Sequence, residues 1–557
     1  MTLPLWAVAA WGQEINPNRN PADIFIEPPE PTLPDTIEIP VELPPLSPRT
    51  QPIAPPDSAP PNLQTYPVDR FQVEGSTVFS VADFNDLLTD FQGKPLSIVE
   101  LQQAADLIQG LYLKADYITS GAIFLAYAVE SRTAIFQVIE GKIADIRIQV
   151  IGGELEDDYV KSRLNLATTT PLHQETVLDA LKLLQLDPNI DAVQAELAAA
   201  PEPGENILNV VVTTSDRLST SIFSNNNRSP SVGSEGGGTS FNIQNVSGWG
   251  DNLSISPSIT EGSNSLNVRY TLPVSPHNTQ VYASAGLGHS RIIEDPFDRL
   301  DIQSESTYFN LGISHPLKQT PTEELALSLE VSHSRSQTTL LNIPFPLSPG
   351  ADLEGRTRVS ALRLGQAWTT QGEDFLLALR SRFSIGVNIF DATINEISPD
   401  SRFFSWQGQV QWVKLLDGGK KVILRGEAQL SDRPLLSGEQ FGLGGQSTVR
   451  GYRQNALLTD NGLLGVAELY VPVLTLGDEL WTVELIPFFN FGTGWNNGES
   501  EQPETQTLVS FGSGLQVSLS DIFSARLDWG IPLVHLSDTN ETWQENGLYF
   551  QLLYNPF

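Results

Sequence analysis

Cysteine is absent from this chain of 557 residues, and basic residues are scarce. Without cysteine, disulfides, thiolate metal sites and cysteine nucleophiles are excluded, and the absence fits a chain that crosses an oxidising compartment without mispairing. Lys and Arg together number 32 against 66 Asp and Glu, which gives a formal net charge of −34. Because phosphate binding needs a basic stripe and none is visible in the sequence, we predict that nucleic acid is not a partner.

Long apolar runs are also absent. No segment approaches the roughly 18 apolar residues of a transmembrane helix, so the chain could span a membrane only as a closed β-barrel, in which every backbone group is satisfied. The N-terminal stretch MTLPLWAVAAWGQE has apolar and small residues but no Lys or Arg before them. We expect residues 1–14 to be the remainder of a secretory signal peptide, with an ordinary disordered terminus as the alternative.

Catalytic motifs are missing as well. The patterns HExxH, GxSxG and GxxxxGK do not occur, and the six histidines are scattered without the spacing of metal ligands. We therefore predict a protein that is not an enzyme, with no catalytic residues, no cofactor and no metal.

Residues 15–67 are rich in proline, as in EPPEPTLPDTIEIPVELPPLSP and APPDSAPP. Proline lacks a backbone N–H and favours extended, solvated polyproline geometry, so this stretch cannot form the interior of a helix or a sheet. We predict a Pro-rich linker. A ligand for a proline-binding domain is the alternative.

Two small α/β units are predicted next, over residues 68–142 and 143–216. In the first, a strand is followed by two helices and two apolar strands, and Ser97 with Glu100 has the capping-box pattern of a helix start. Helical spacing predicts the buried face of that helix: Ile98, Leu101, Ala105, Ile108 and Leu111. The order β-α-α-β-β then repeats with weak residue similarity, which indicates a tandem of one architecture.

Residues 217–557 lose helical periodicity and show short alternating runs separated by turn residues. FSARLDWGI (523–531) places Phe, Ala, Leu, Trp and Ile on one face and Ser, Arg, Asp and Gly on the other. A soluble sandwich also alternates, but about 16 such runs, with short turns alternating with long connections, favour a membrane barrel. We predict a mostly β fold, in which two α/β domains precede a transmembrane antiparallel β-barrel of about 16 strands.

Several motifs accompany this arrangement. YITSGAIF (117–124) and VIEGKIADIRIQVIGG (138–153) lie where the two α/β units join, GWGDNLSIS and YTLPVSPHNTQ lie in the early barrel, and VRGY follows FGLGG in a late loop. The chain ends in Phe557, which resembles the C-terminal sorting signal of outer-membrane barrels. Together these features resemble the two-partner secretion transporters, the ShlB/FhaC/HecB type of haemolysin secretion and activation proteins, over residues 68–557.

The resemblance implies two POTRA domains and a site inside the barrel. In this family the arginine of the VRGY motif lies at the tip of a loop that folds back into the lumen and contacts the aspartate of a Phe-x-Asp triplet on the wall. The VRGY motif of this chain consists of Val449, Arg450, Gly451 and Tyr452.

The wall triplet departs from the family pattern. It is Phe488-Phe489-Asn490, so asparagine stands where the family has aspartate. Because a buried guanidinium without a carboxylate is costly, we expect Glu468, on the preceding strand, to pair with Arg450. The resemblance assigns no role to Arg453, which we expect to be a solvated charge.

The function implied by the resemblance is transport across the bacterial outer membrane. POTRA domains in the periplasm would bind an unfolded partner exoprotein of haemolysin or haemagglutinin type, and the barrel would pass it outward without ATP. Outer-membrane lipid, and the barrel-assembly machinery during biogenesis, are the other expected partners. The alternatives are an insertase or import channel of the same superfamily, a passive porin, a soluble sandwich, and an enzyme with a Ser/His pair on a barrel.

Overall fold

The computed structural model describes residues 33–37, 65–477, 480–498, 506–536 and 542–556. Contacts divide the chain into two compact units, one of residues 38–217 with 247–250 and one of residues 1–37, 218–246 and 251–557. The predicted signal-peptide remnant, most of the predicted linker and Phe557 lie outside the described residues. None of the described helices is long and apolar enough to cross a membrane.

The first α/β domain has a three-stranded sheet in the order β2-β5-β4, with β2 parallel and β4 antiparallel to β5, and a separate ribbon of β1 and β3. Strand β1 begins inside the segment that the sequence predicts to be linker. The elements are β1 (Thr65–Val68), β2 (Arg70–Glu74), α1 (Val81–Leu87), β3 (Lys94–Ser97), α2 (Ile98–Lys114), β4 (Gly121–Ala128) and β5 (Thr133–Ile139).

Helix α2 provides the core of this domain. The predicted capping box is present. The Ser97 hydroxyl accepts from the Glu100 backbone N–H, and the Glu100 carboxylate accepts from the Ser97 backbone N–H. The helix buries one face: Leu101, Ala104, Ala105, Ile108 and Tyr112. The prediction for Ile98 is wrong: this first residue of the helix is exposed, because it lies beyond the end of the sheet-facing stripe.

The second α/β domain has the same topology as the first. Its sheet has the order β6-β8-β7, with β6 parallel and β7 antiparallel to β8. The two domains therefore share the order of strands within the sheet as well as the order of elements along the chain. Its elements are β6 (Lys142–Ile151), α3 (Asp157–Asn165), α4 (Gln174–Gln185), β7 (Ile190–Ala199) and β8 (Glu205–Thr214).

Sixteen antiparallel wall strands close into a barrel, and the last strand pairs with the first over residues 551–554 and 222–225. The soluble-sandwich alternative is therefore wrong. The wall strands are β9 (Leu218–Asn225), β10 (Gly236–Gln244), β11 (Asn252–Thr260), β12 (Ser263–Pro273), β13 (Gln280–Arg291), β14 (Gln303–Thr320), β15 (Glu323–Leu340), β17 (Arg356–Gln371), β18 (Phe375–Gly386), β19 (Phe404–Leu416), β20 (Lys420–Ser431), β23 (Asn461–Leu476), β24 (Trp481–Trp495), β25 (Gln506–Leu519), β26 (Phe523–Pro532) and β27 (Leu548–Tyr554).

Alternation along each wall strand separates the two faces of the barrel. In β14, Phe309, Leu311 and Ile313 are exposed on the outside, whereas Ser306 and Asn310 are buried on the inside. An apolar exterior and a polar lumen are typical of barrels that span a lipid bilayer. The strands therefore present polar side chains to the lumen, where any transported molecule would pass.

Connections at the two rims differ in length. Strands β14 and β15 are joined by two residues at one rim, whereas 29 residues, 432–460, join β20 to β23 at the other. This longest loop contains a small antiparallel hairpin of β21 (Phe441–Leu443) and β22 (Leu457–Thr459), and the loop between β15 and β17 contains the two-residue strand β16 (Ile343–Pro344). The VRGY motif lies between β21 and β22.

Candidate functional site: an arginine latch in the barrel lumen

The hairpin of β21 and β22 folds into the barrel and carries the VRGY motif against the wall. Its apolar residues, among them Leu443, Val449 and Tyr452, form one buried cluster with Leu464 of β23 and Leu508 of β25. Packing of apolar side chains against the inner wall removes them from water and stabilises the inward position of the loop. The loop is therefore a packed part of the barrel interior.

Glycines on both sides allow this close approach. A Cβ atom added to Gly492 on β24 would lie 2.8 Å from Cγ2 of Val449, so a side chain there would displace the loop. Gly451 has φ +99°, and an added Cβ would lie 3.1 Å from the Pro532 backbone nitrogen. Since only glycine adopts this backbone conformation readily, Gly451 lets the motif turn tightly against β26.

Arg450 is buried and bound to the wall from several sides. Its Nη1 donates to Oε1 of Glu468 at 2.6 Å, and its Nε donates to Oδ1 of Asn490 at 3.1 Å. The guanidinium carbon lies 3.6 Å from the ring centroid of Phe488, a cation–π contact. The structure thus brings together Arg450, Glu468, Asn490 and Phe488, and both Asn490 and Glu468 bind the arginine.

Two further residues complete the ionic cluster, and the sequence reasoning did not single them out. Nη1 of Arg450 lies 3.6 Å from Oδ2 of Asp528 on β26. Arg526 donates to Oε1 of Glu468 at 2.7 Å and through Nε to Oδ2 of Asp528 at 2.9 Å. We call Arg450, Arg526, Glu468, Asn490 and Asp528 the latch cluster. It contains two arginines and two carboxylates, and all of its members except the partly exposed Arg526 are buried. The alternation in FSARLDWGI places Arg526 and Asp528 on the lumenal face, which is the one sequence signal that points to them.

Backbone contacts secure the rest of the motif. The Tyr549 hydroxyl on β27 accepts from the Gly451 backbone N–H at 2.8 Å and donates to the Tyr452 carbonyl at 2.5 Å. The Tyr452 hydroxyl lies within 3.0 Å of the carbonyl oxygens of Val509 and Val534. Each of these buried polar groups has a partner, as the low-dielectric interior requires.

Arg453 is also buried, so the expectation that it is a solvated charge is wrong. Its two terminal nitrogens bind Glu294 in a two-pronged contact, at 2.9 Å and 3.2 Å, and Nη1 lies 3.4 Å from Oε1 of Glu545. Glu294 belongs to the loop between β13 and β14, and Glu545 to the loop before β27. Arg453 therefore ties the VRGY loop to two other long loops, and such long-range partners leave no pattern in the local sequence.

Asp460, at the end of the same long loop, holds its two ends together. Its Oδ1 accepts from the Leu435 backbone N–H at 2.8 Å, and its Oδ2 accepts from that of Asn497 at 2.9 Å. Burial raises the pKa of this carboxyl above its ordinary value, although the hydrogen bonds from Leu435, Asn497 and Gln440 oppose the rise. The carboxyl thus anchors the root of the loop that carries Arg450.

Part of the Pro-rich segment also contacts the lumenal wall. The Gln411 side chain on β19 donates to the carbonyl oxygens of Leu33, at 3.3 Å, and Pro34, at 2.8 Å. Leu33 and Ile37 pack against a buried cluster that includes Tyr470, and the Tyr470 hydroxyl lies 3.3 Å from Glu468 Oε2. The prediction of a linker did not anticipate this contact with the neighbourhood of the latch cluster.

The VIEG motif closes the junction between the two α/β domains. The Glu140 carboxylate accepts from the Thr77 backbone N–H at 2.6 Å and from the Tyr112 hydroxyl at 3.0 Å. Burial, together with Glu140, raises the pKa of Tyr112 to about 12. The Gly141 carbonyl accepts from the Leu172 backbone N–H at 2.7 Å, and a Cβ at Gly141 would overlap the Thr119 side chain. The carboxylate therefore holds the motif on the first domain, and the Gly141 carbonyl binds it to the second.

Within the described residues, one group has the composition of a metal site, although the sequence predicts none. Asp116, His173 and Glu175 each bring a ligand atom within 4.8 Å of the other two. Both carboxylates belong to exposed residues, and exposed acidic groups often lie this close without an ion. The sequence showed no ligand spacing here, because Asp116 lies far from His173 and Glu175 along the chain.

Comparison with known proteins adds the family context. Residues 204–517 match the family model described as haemolysin secretion/activation protein ShlB/FhaC/HecB, and residues 66–141 match the ShlB-type POTRA domain. The chain is 23% identical to the heme/hemopexin transporter protein HuxB of Haemophilus influenzae (strain 86-028NP), over 82% of each chain. It is 22% identical to the outer membrane transporter CdiB of Escherichia coli, over 84% of this chain and 79% of that protein.

A solved structure has the same fold. The structure of CdiB from Escherichia coli superposes with a TM-score of 0.67 and 20% identity, covering 90% of this chain and 93% of that one. At this identity the likeness concerns the fold, and the family is shown by the model that matches more than half of the chain.

Proposed function

Since the chain belongs to the ShlB/FhaC/HecB family of haemolysin secretion/activation proteins, we propose that it exports one specific partner exoprotein without ATP. It is a transporter of the two-partner secretion family, located in the bacterial outer membrane with its POTRA domains in the periplasm. The proposed cargo is an unfolded polypeptide of haemolysin or haemagglutinin type. The observation that carries the proposal is the VRGY loop, held inside a sixteen-stranded barrel by buried ion pairs.

Strand addition provides the first step of the proposed mechanism. In the part of the chain that the structure describes, β2 and β4 each pair with β5 on one side only, and so do β6 and β7 with β8. The unpaired N–H and C=O groups of such an edge can bind an extended polypeptide as an added strand. On β4, Ile123 and Leu125 are exposed and offer apolar contacts beside this edge.

Passage through the barrel is the second step. The lumenal face is polar, so an extended chain with its own polar backbone can cross without entering lipid. Outside the cell the cargo folds, and the folded form cannot move back through the barrel. Net transport outward therefore needs no nucleotide hydrolysis. The VRGY loop occupies part of this path, so the latch cluster sets the conformation in which the loop narrows the lumen.

A photo-crosslinking experiment on the full chain tests the capture step. A photoreactive amino acid replaces Leu125 on the exposed edge of β4, and in a matched control it replaces Gln102, which is exposed on α2. We expect the Leu125 position to capture one large exported polypeptide that the Gln102 position does not capture. Deletion of the transporter gene should then remove that polypeptide from the medium.

The same experiment separates secretion from the alternatives. Recovery of many barrel precursors at Leu125 would favour an insertase and contradict the proposal. Equal capture at both positions, or normal export of the captured polypeptide in the deletion strain, would also contradict it.

A further inference from the structure

Two arginines lie directly opposite each other on the outer face of the barrel wall. Arg335 on β15 pairs in register with Arg358 on β17. Each lies an even number of residues from an exposed apolar residue of its own strand, Val331 on β15 and Leu362 on β17. Side chains separated by an even number of residues share a face of a strand, so both arginines face outward. Like charges that face each other across two strands destabilise their pairing.

The protein itself does not offset the charge of this opposed pair. In the part of the chain that the structure describes, neither of the two arginines forms an ion pair with a carboxylate. Nη1 of Arg358 donates to the Asp391 backbone carbonyl at 3.3 Å, which orients the guanidinium without neutralising it. The next outward residue on β17, Arg356, differs because it pairs with both Asp352 and Glu354. The positive charge of the opposed pair therefore remains available to an external anion.

The opposed pair lies just beyond the apolar band of the barrel exterior, toward the rim of the long loops. Each arginine is four residues past the last exposed apolar residue of its strand in that direction, Val331 or Leu362. In outer-membrane barrels the long loops face the cell exterior and the short turns face the periplasm. The two guanidinium groups are therefore at the level where the headgroups of the outer leaflet meet the apolar band.

An exposed aromatic ring lies beside the opposed pair. Phe390, in the loop between β18 and β19, is 67% exposed, and its ring centroid lies 5.7 Å from that of His333. His333 is two residues before Arg335 on the same face of β15, and its Nδ1 lies 2.9 Å from the Ser360 hydroxyl oxygen. Aromatic side chains are enriched at the interfaces of membrane barrels, where they contact lipid. This surface therefore combines two cations with an apolar contact, as an anionic lipid requires.

We propose that Arg335, Arg358 and Phe390 form a binding site for an anionic lipid of the outer leaflet, which we call the lipid site. A phosphate group of the headgroup lies between the two guanidinium groups, because arginine binds phosphate through charge-assisted hydrogen bonds. The acyl chains lie along the apolar band. Basic pockets of other membrane proteins bind anionic headgroups in this way. The lipid site depends on the outer-membrane location of the barrel and is independent of the cargo.

Lipid binding to the purified full-length protein in detergent micelles tests the lipid site. The probes are phosphorylated lipid A and the same lipid after enzymatic removal of its phosphates, and native mass spectrometry measures the fraction of protein that carries each lipid. We expect the phosphorylated lipid to bind about tenfold more tightly. Equal binding of the two lipids would overturn the proposal. Complete displacement of the phosphorylated lipid by an equal concentration of inorganic phosphate would also overturn it, because free phosphate would then be the ligand.

The double variant Arg335→Gln/Arg358→Gln should bind the phosphorylated lipid about tenfold more weakly and the dephosphorylated lipid as the wild type does. The matched control is Lys318→Gln/Lys414→Gln, which removes two lysines that form ion pairs near the rim of the short turns. We expect this control to bind both lipids as the wild type does. Equal losses in the two double variants would overturn the proposal.

A single variant covers the case in which the arginine variant does not fold. Glu305→Gln removes an exposed carboxylate on the outer face of β14, diagonally across the sheet from Arg335. Because a negative charge near the lipid phosphate is lost, binding of the phosphorylated lipid should strengthen about twofold. Unchanged or weaker binding by this variant would overturn the proposal.

Discussion

Two buried arginines of the VRGY loop differ in where their partners lie. Arg450 belongs to the latch cluster, whose two arginines and two carboxylates come from this loop and from wall strands of the barrel. Arg453 binds Glu294 and Glu545, which belong to two other long loops. Burying charges is tolerable only when they are paired, and removing one partner then leaves an unpaired buried charge. The latch cluster therefore holds the VRGY loop against the wall, whereas Arg453 holds it against loops that can relax toward water.

The largest expected effect is that of Arg450→Ala, which removes a buried cation that lies against both Glu468 and Asp528. Breaking a buried ion pair costs about 3–5 kcal/mol, so we expect the VRGY loop to leave the wall and export of the partner to be lost. Export is measured as partner polypeptide in the medium, and loop position as protease sensitivity. Arg433→Ala, which removes an exposed arginine of the same long loop, is the control.

A double-mutant cycle then tests whether Glu468 is the partner that matters. Arg450→Ala, Glu468→Gln and the double variant are compared by their free energies of unfolding, and we expect a coupling energy of about 1–3 kcal/mol. Zero coupling would refute the pairing. Normal export by a folded Arg450→Ala barrel would refute the functional role of the latch.

Arg453→Ala should have the next largest effect. It leaves Glu545 buried, but Glu294 is partly exposed and both glutamates belong to loops that can relax toward water. We therefore expect a loss of about 2 kcal/mol in the free energy that holds the VRGY loop against its neighbouring loops. Hydrogen exchange of residues 444–456 measures this loss. An exchange rate equal to that of the wild type would show that Arg450 alone positions the loop.

Asn490→Asp tests whether charge balance, and not the number of carboxylates, stabilises the latch cluster. It restores the aspartate of the family pattern but places a third carboxylate beside two arginines in a fully buried position. We expect a loss of about 1 kcal/mol in the free energy of unfolding. The double variant Asn490→Asp/Glu468→Gln, with two carboxylates again, should recover most of it. A more stable Asn490→Asp single variant would contradict the balance argument.

Much of the architecture could be predicted from local pattern. Alternation with period two marks the wall strands because each residue faces either lipid or lumen, and about sixteen runs were expected where sixteen strands occur. The capping box of Ser97 and Glu100 was visible because it involves residues three apart. Ile98 was misassigned, because helical spacing does not show where the sheet beneath a helix ends.

The candidate site was predictable only in part. The family pattern pointed to Arg450, Phe488 and Asn490, and the cost of burying a lone guanidinium pointed to Glu468. Asp528, Arg526, Glu294 and Glu545 were not identified, since their contacts with the site are distant in sequence: Arg526 lies 58 positions from Glu468, and Glu294 lies 159 positions from Arg453. The contact of Leu33 and Pro34 with Gln411 joins residues more than 370 positions apart and likewise left no local signal.

The sequence alone determined that this chain forms alternating strands, two β-α-α-β-β domains and a glycine-rich loop with two arginines, because those properties depend on neighbouring residues. Only the tertiary structure decided which carboxylates meet which arginines. Closure of the barrel brings β23, β24 and β26 around one loop. Charge balance is a property of that enclosed space, so Arg450 and Arg453 of the same loop bind carboxylates from different parts of the barrel.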